Sequence, residues 1–157
     1  MVQSEKGHGT TFNIYLPRVD ATAEQTVIQA PRAAAGGSET VLLVEDEESV
    51  RQLIRETLQA KGYKVVEAEN GEAGVAAAAK HPGKIDMIIT DVVMPGMGGR
   101  EMVKNLAKSR PETKVLYLSG YTEDAIVNEG TIESGTAFLQ KPFTLQNLSR
   151  KVREVLG

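Results

Sequence analysis

From about residue 39 to the C-terminus, short apolar runs alternate with segments in which apolar residues recur at helical spacing. The run Val41–Val44 is continuous and apolar, which is typical of a strand buried on both faces. Similar short runs recur along the rest of the chain. The predicted strands are Val41–Val44, Tyr63–Ala68, Met87–Thr90, Val115–Leu118 and Ala137–Gln140.

Helical signals follow each predicted strand. After the first strand, apolar residues recur between Val50 and Leu58, and Gly62 ends the helix. Asn70 can cap a second, alanine-rich helix that reaches about Lys80. Because strands and helices alternate, the pattern predicts an α/β fold with a parallel sheet covered on both faces.

Three further helices complete the alternation. One spans about residues 102–107 and ends before Pro111, and a weak one runs from about Glu123 to Asn128. Thr144 can cap the last helix, which presents one apolar face. The residues of that face are Leu145, Leu148, Val152 and Val155.

The first 38 residues differ in composition from the rest. Residues 1–18 contain a strand-like run, Thr10–Leu16, closed by Pro17. Residues 19–38 are rich in Ala, Gln, Thr, Pro and Gly, as in a flexible linker. We therefore predict three parts: residues 1–18, a linker at 19–38, and a domain at 39–157.

Composition excludes several classes of protein. The net charge is −3 and aromatic residues make up 4% of the chain, so we expect no nucleic-acid partner. Absence of cysteine excludes disulfides and thiolate metal sites, and it fits a cytoplasmic location. No apolar run approaches the roughly 18 residues that span a membrane, and no signal peptide is visible, so we expect no membrane contact.

Chemically capable residues follow four of the five predicted strands. Glu45 and Asp46 follow the first strand, Asp91 the third, Ser119 the fourth and Lys141 the fifth. Carboxyl ends of parallel strands meet at one edge of a sheet, where sites form. Clustered carboxylates repel one another unless a cation joins them, and oxygen ligands of this kind suit Mg²⁺. A carboxylate can also act as a nucleophile toward phosphorus, if positive charge surrounds the transferring group.

Four strings in this part of the chain resemble the signature blocks of response-regulator receiver domains. The strings are VLLVEDEE, MIITDVVMPGMGG, VLYLSGY and AFLQKPF. The resemblance covers about residues 39–157 and implies a doubly wound, flavodoxin-like five-stranded parallel sheet with strand order 2-1-3-4-5. It also implies two-component signalling, in which the domain accepts a phosphoryl group and is not itself an enzyme.

The resemblance assigns the acidic residues to metal binding and phosphoryl acceptance. Asp91 would accept the phosphoryl group from a phosphohistidine. Asp46 and Asp91 would bind Mg²⁺ through their side chains, with the backbone carbonyl of Val93 as a third ligand. Glu45 matches the other acidic position, where Asp is commoner, and would act directly or through a water.

Three more residues match positions that respond to the phosphoryl group. Lys141 matches the family's lysine, Ser119 its switch hydroxyl and Phe138 its aromatic switch residue. Phe138 stands where Tyr also occurs, so the ring carries no hydroxyl. The stretch 128–136 is rich in Gly and Glu, which would shorten the fourth helix. In the family this helix forms a dimer surface together with the fifth strand and fifth helix. We therefore expect a monomer or a weak dimer.

The N-terminal string GHGTTFNIYLP resembles the last glycine-rich box and final strand of a histidine kinase ATP-binding domain. It implies a remnant strand without its sheet, and a chain that is the C-terminal receiver of a hybrid histidine kinase. The partners would be a histidine kinase domain or a histidine phosphotransfer protein.

Other interpretations remain open. The chain can be a stand-alone single-domain regulator that acts by protein contact, or a pseudo-receiver that serves only as an interaction module. An aspartyl phosphatase of the haloacid dehalogenase type is disfavoured, because neither Asp46 nor Asp91 lies in a D-x-D motif.

Overall fold

The computed structural model describes residues 2–5, 7, 9–13, 15, 36–121 and 136–157. The chain divides into two compact units, residues 1–30 and residues 31–157. The predicted weak helix at Glu123–Asn128 lies outside the described residues.

The first unit contains an antiparallel hairpin. Strand β1 (Val2–Glu5) pairs with β2 (Gly9–Phe12), and Val2 lies opposite Phe12. Our expectation of an unpaired remnant strand is therefore wrong, because β2 has a partner within its own unit. β1 carries no strand signal in the sequence, because its four residues are mostly polar and show no alternation of apolar and polar positions.

The second unit is built on a five-stranded parallel sheet. The strand order β4-β3-β5-β6-β7 corresponds to the predicted order 2-1-3-4-5 and confirms it. The strands are β3 (Thr40–Val44), β4 (Lys64–Ala68), β5 (Met87–Asp91), β6 (Lys114–Ser119) and β7 (Ala137–Gln140). The described helices are α1 (Glu48–Ala60), α2 (Gly71–Lys80), α3 (Gly99–Ala107) and α4 (Leu145–Leu156). None of these has the length and apolar character that crossing a bilayer requires.

Both faces of the sheet are covered, so alternate residues of β3 enter different cores. Val41 and Leu43 pack with residues of α1 and α4, including Leu148. Leu42 and Val44 pack on the opposite face with residues of α2 and α3. This two-sided burial explains why β3 has no polar position between its first residue and its end.

Helix ends follow the predicted signals. The Asn70 side chain accepts a hydrogen bond from the Ala73 N–H at 2.8 Å, and Thr144 accepts one from the Asn147 N–H at 3.1 Å. Gly62, with φ +92°, ends α1 in the left-handed conformation that glycine adopts most readily. These local contacts set where the chain turns back toward the sheet.

The described end of the predicted linker, residues 36–38, belongs to the second unit and is hydrogen-bonded within it. The Gly37 N–H donates to the Lys61 carbonyl at 3.0 Å. Glu39 accepts a hydrogen bond from Arg153 of α4 at 2.8 Å, and the Arg153 guanidinium holds the pKa of Glu39 below its ordinary value. The N-terminal edge of β3 is thus tied to the ends of α1 and α4.

Asp86 aligns the two central strands. Its N–H donates to the Thr40 carbonyl at 2.8 Å, and its Oδ2 accepts from the Thr40 N–H at 2.9 Å. This hydrogen bond from Thr40, followed by the contact with Lys84, lowers the pKa of Asp86. The pair fixes the register of β3 and β5, whose far ends carry Glu45 and Asp91.

We predict that Asp86→Ala lowers the free energy of unfolding at pH 7 by about 1–2 kcal/mol, because the Thr40 N–H loses a charged acceptor. The depressed pKa means that this contribution is complete above the ordinary value of 3.8 and is lost as the pH falls through the lower folded-state value. Urea titrations at several pH values measure the difference, which should shrink in acid. Lys84→Ala is the control and should cost little, since that ion pair is exposed. Equal losses in the two variants would contradict the role of the Thr40 contact.

Candidate functional site

The site lies where β3 and β5 end side by side in the middle of the sheet. Val44 is paired with Thr90, so Glu45 and Asp91 each follow a paired residue at the same edge. The chain passes from β3 outward to β4 and then returns to β5 on the other side. This reversal of strand order is the point at which doubly wound sheets form their ligand sites.

Three carboxylates meet at this edge. Oxygen atoms of Glu45, Asp46 and Asp91 all lie within 4.8 Å of one another. Glu45 is 1% exposed, the Asp91 side chain is 14% exposed, and Asp46 is open to solvent. Negative charges this close repel one another, and burial of Glu45 weakens the screening by water.

Lys141 supplies the positive charge. Its Nζ donates to both Glu45 carboxylate oxygens, at 3.0 and 2.8 Å, and to Asp91 Oδ2 at 2.7 Å. The residue follows β7 directly, and its N–H donates to the Ser119 carbonyl at 2.7 Å, which continues the ladder of the sheet. The Lys141–Pro142 peptide bond is cis. One ammonium thus joins the ends of β3 and β5 from an edge strand.

The charges of the site are unbalanced. Burial raises the pKa of Glu45, although the hydrogen bond and charge of Lys141 act in the opposite direction. Burial alone would lower the pKa of Lys141, but its hydrogen bonds to Asp91 and Glu45 leave that pKa raised. Both directions fit one ammonium shared among several carboxylates: the lysine stays protonated, and one carboxylate remains partly uncompensated.

The donor set fits a hard divalent cation. Every side-chain atom in the cluster that could bind a metal is a carboxylate oxygen, and Mg²⁺ prefers oxygen ligands. A cation bound here would relieve the repulsion that Lys141 leaves uncompensated. The acidic cluster is therefore a candidate Mg²⁺ site.

The remaining site residues of the sequence analysis lie around this cluster. Ser119 ends β6, one position beyond the residue that pairs with Asp91, and its Oγ accepts from the Tyr121 N–H at 3.1 Å. The Val93 side chain is exposed, and its N–H donates to Asp91 Oδ1 at 3.1 Å. Phe138 is half-buried in β7 and packs against a small cluster formed by Val92 and Tyr117. It lies in β7 two positions before Gln140, the residue that pairs with Ser119.

Sequence reasoning missed three residues that support the site. Arg51 of α1 donates to the Glu45 carbonyl at 2.6 Å. The Thr90 Oγ1 donates to the Asp91 carbonyl at 3.0 Å. Gly99 lets α3 begin against β5, because a Cβ there would lie 2.0 Å from the Asp91 carbonyl oxygen. Of these three, only Gly99 could have been recognised in the sequence, because the Gly98-Gly99 pair indicates a place where two backbone segments come close together.

A doubly wound parallel sheet with carboxylates, a hydroxyl and a lysine at its carboxyl edge is the construction of a two-component receiver domain. Residues 41–153 match the family model described as the response regulator receiver domain. The chain therefore belongs to the response regulator receiver domain family, whose members are signalling domains.

Relatives and solved structures agree with this assignment. Sensor kinase CckA of Brucella abortus (strain 2308) is 40% identical over 163 aligned positions, covering 98% of this chain and 17% of the kinase. The receiver domain of the hybrid histidine kinase CckA is 35% identical with a TM-score of 0.64, over 75% of this chain and 99% of that one. Vibrio cholerae chemotaxis protein CheY4 is 36% identical with a TM-score of 0.68, over 76% of this chain and 99% of that one. The chain thus spans about a sixth of the sensor kinase and nearly all of each solved receiver.

We predict that Asp46→Ala weakens Mg²⁺ binding at least about tenfold, because a solvent-facing carboxylate donor is removed. The free energy of unfolding without Mg²⁺ should stay the same or rise, since the change also removes repulsion within the cluster. Titrations followed by NMR should place the wild-type shifts at the ends of β3 and β5. Glu48→Ala, which removes an exposed carboxylate from the first turn of α1, is the control. Scattered shifts, or unchanged affinity in Asp46→Ala, would refute the site.

Proposed function

We propose that this domain accepts a phosphoryl group from a phosphohistidine onto Asp91, with Mg²⁺ bound beside it. The observation that carries the proposal is the bridge from Lys141 Nζ to both Glu45 and Asp91, next to a third carboxylate. Glu45, Asp46 and Asp91 would hold the metal, with the Val93 carbonyl as a further ligand. When bound, Mg²⁺ supplies positive charge that offsets the charges of the phosphoryl oxygens.

The residues of this chain account for the rest of the transfer. An Asp91 carboxylate oxygen donates its electron pair to phosphorus, and the N–P bond of the phosphohistidine breaks, so that the imidazole leaves with that bond's electron pair. Lys141 holds an ammonium 2.7 Å from Asp91 Oδ2, next to the position where the phosphoryl oxygens would carry negative charge during transfer. Because the charge is already in place, the protein needs little reorganisation at the moment of reaction.

Ser119 and Phe138 would carry the response. Ser119 Oγ accepts the Tyr121 N–H and keeps its own proton for a further acceptor, such as a phosphoryl oxygen. A shift of Ser119 toward Asp91 would move the end of β6, and the half-buried Phe138 of the neighbouring strand would then change its packing. Phosphorylation would in this way change the surface that a partner protein binds.

We further propose that the chain is part of a hybrid histidine kinase. The alignment with a sensor kinase covers 98% of the chain, whereas the family model begins at residue 41. The hairpin β1–β2 accordingly belongs to the end of an ATP-binding domain (residues 1–18), and residues 19–38 form a linker to the receiver. A histidine kinase domain or a histidine phosphotransfer protein would then be the partner, on the cytoplasmic side. The alternative is a single-domain regulator, since CheY4 is covered over 99% of its own chain.

We expect the protein to gain one phosphoryl group from acetyl phosphate when Mg²⁺ is present, and Asp91→Asn to abolish the gain, because the amide is a poor nucleophile. Intact-mass measurement over time follows the reaction. Glu101→Gln changes an exposed carboxylate of α3 and should react like the wild type. A labelled Asp91→Asn protein would show that the acceptor lies elsewhere.

Deletion of residues 1–30 should change the melting temperature by only a few degrees and leave phosphorylation intact. The reason is that these residues form a separate unit, and that surface appendages contribute under roughly 1 kcal/mol. Calorimetry and the same mass assay measure both quantities. A large drop in melting temperature would mean that the hairpin stabilises the receiver, contrary to the proposed division.

A further inference from the structure

The loop between Asp91 and α3 is held at several points. The Val93 N–H donates to Asp91 Oδ1 at 3.1 Å, and the Gly99 N–H donates to the Val92 carbonyl at 3.2 Å. Both contacts join the loop to itself or to the residues that flank it. They leave the middle of the loop to be fixed by another element.

Glu72 provides that contact from the first turn of α2. Its Oε1 accepts a hydrogen bond from the Met97 N–H at 3.0 Å. Apart from Asp91, it is the only side chain outside the loop, among the described residues, that bonds to the loop backbone at residues 92–98. The neighbouring Gly71 brings the two backbones together, because a Cβ there would lie 2.4 Å from the Met97 carbonyl oxygen.

The sequence of the loop presents Met97 to Glu72. Pro95 is followed by Gly96, whose φ is +73°, the order and backbone sign that the centre of a type II turn requires. The next N–H, that of Met97, bonds to Glu72 of α2, and the Glu72 oxygens lie 3.1 and 3.4 Å from where a Gly96 Cβ would be. A residue larger than glycine at position 96 would therefore strain the backbone and crowd this carboxylate.

We propose that Glu72 is a positioning residue, which fixes the loop that carries Val93, whose carbonyl is the further ligand of the proposed Mg²⁺ site. This inference rests on the proposed Mg²⁺ site and extends it to a residue on a different helix. Glu72 touches neither the metal site nor Asp91; it acts through Met97, four residues beyond Val93. A carboxylate oxygen and an amide oxygen can each accept this hydrogen bond, so the proposed role does not require the charge of Glu72.

Two substitutions of Glu72 distinguish the effect of its hydrogen bond from the effect of its negative charge. Glu72→Ala removes the acceptor, whereas Glu72→Gln removes the charge and keeps an oxygen that can accept the Met97 N–H. Glu101→Ala is the matched control, since it removes an acidic residue from the first turn of the neighbouring helix α3 without touching the loop. That control reproduces any general loss of favourable helix-dipole interaction.

Without Mg²⁺, hydrogen exchange at the Met97 amide should be about fivefold faster in Glu72→Ala, and within about twofold of the wild type in Glu72→Gln and Glu101→Ala. Mg²⁺ affinity should fall about three- to tenfold in Glu72→Ala and be restored in Glu72→Gln. Phosphorylation by acetyl phosphate should be slow in Glu72→Ala at low Mg²⁺ and approach the wild-type rate at saturating Mg²⁺.

The outcomes distinguish this inference from the proposed function. Unchanged Met97 exchange or unchanged Mg²⁺ affinity in Glu72→Ala would overturn the role of Glu72. Failure of Glu72→Gln to restore affinity would also overturn it and would assign the effect to charge. If the wild-type chain bound no Mg²⁺, the proposed function itself would fail, and the role of Glu72 at the metal site would fail with it.

Discussion

The contact of one ammonium with two carboxylates is the interaction on which the site depends. Lys141 lies 96 positions from Glu45 and 50 from Asp91, so these hydrogen bonds form only if three strands end at the same edge in the correct register. Removal of the ammonium would leave a buried, repelling pair of carboxylates. Other features of the domain serve to bring these three side chains together.

Stability and function make opposite demands at this edge. Three carboxylates within 4.8 Å of one another cost stability in the absence of a cation, and burial of Glu45 increases the cost. The apolar sheet offsets that cost, because β3 is buried along its whole length on both faces. A rigid, two-sided core therefore holds charged groups in an arrangement that they would not adopt alone, ready for a charged ligand.

The supporting contacts come from elements on both sides of the sheet. Arg51 of α1 donates to the Glu45 carbonyl, and Glu72 of α2 accepts from the Met97 N–H in the loop after Asp91. At the opposite edge, Asp86 ties the start of β5 to the start of β3. Arg110 donates to the carbonyls of residues 78, 81 and 83 and so joins the end of α3 to the end of α2. Helices that lack any site residue thus help to keep the strand ends in place.

The sequence by itself determined the alternation of strands and helices, the caps at Asn70 and Thr144, and the residue types at the strand ends. These features are local: a run of apolar residues, or a polar side chain next to a helix start, acts over a few positions and leaves a periodic signal. The tertiary structure alone decided that Lys141 is shared by two carboxylates, that Arg51 and Glu72 support the site, and that β2 pairs with β1. Such contacts depend on which surfaces meet after folding, and a single arginine or glutamate on a helix has the same sequence signal whether it faces water or a loop backbone.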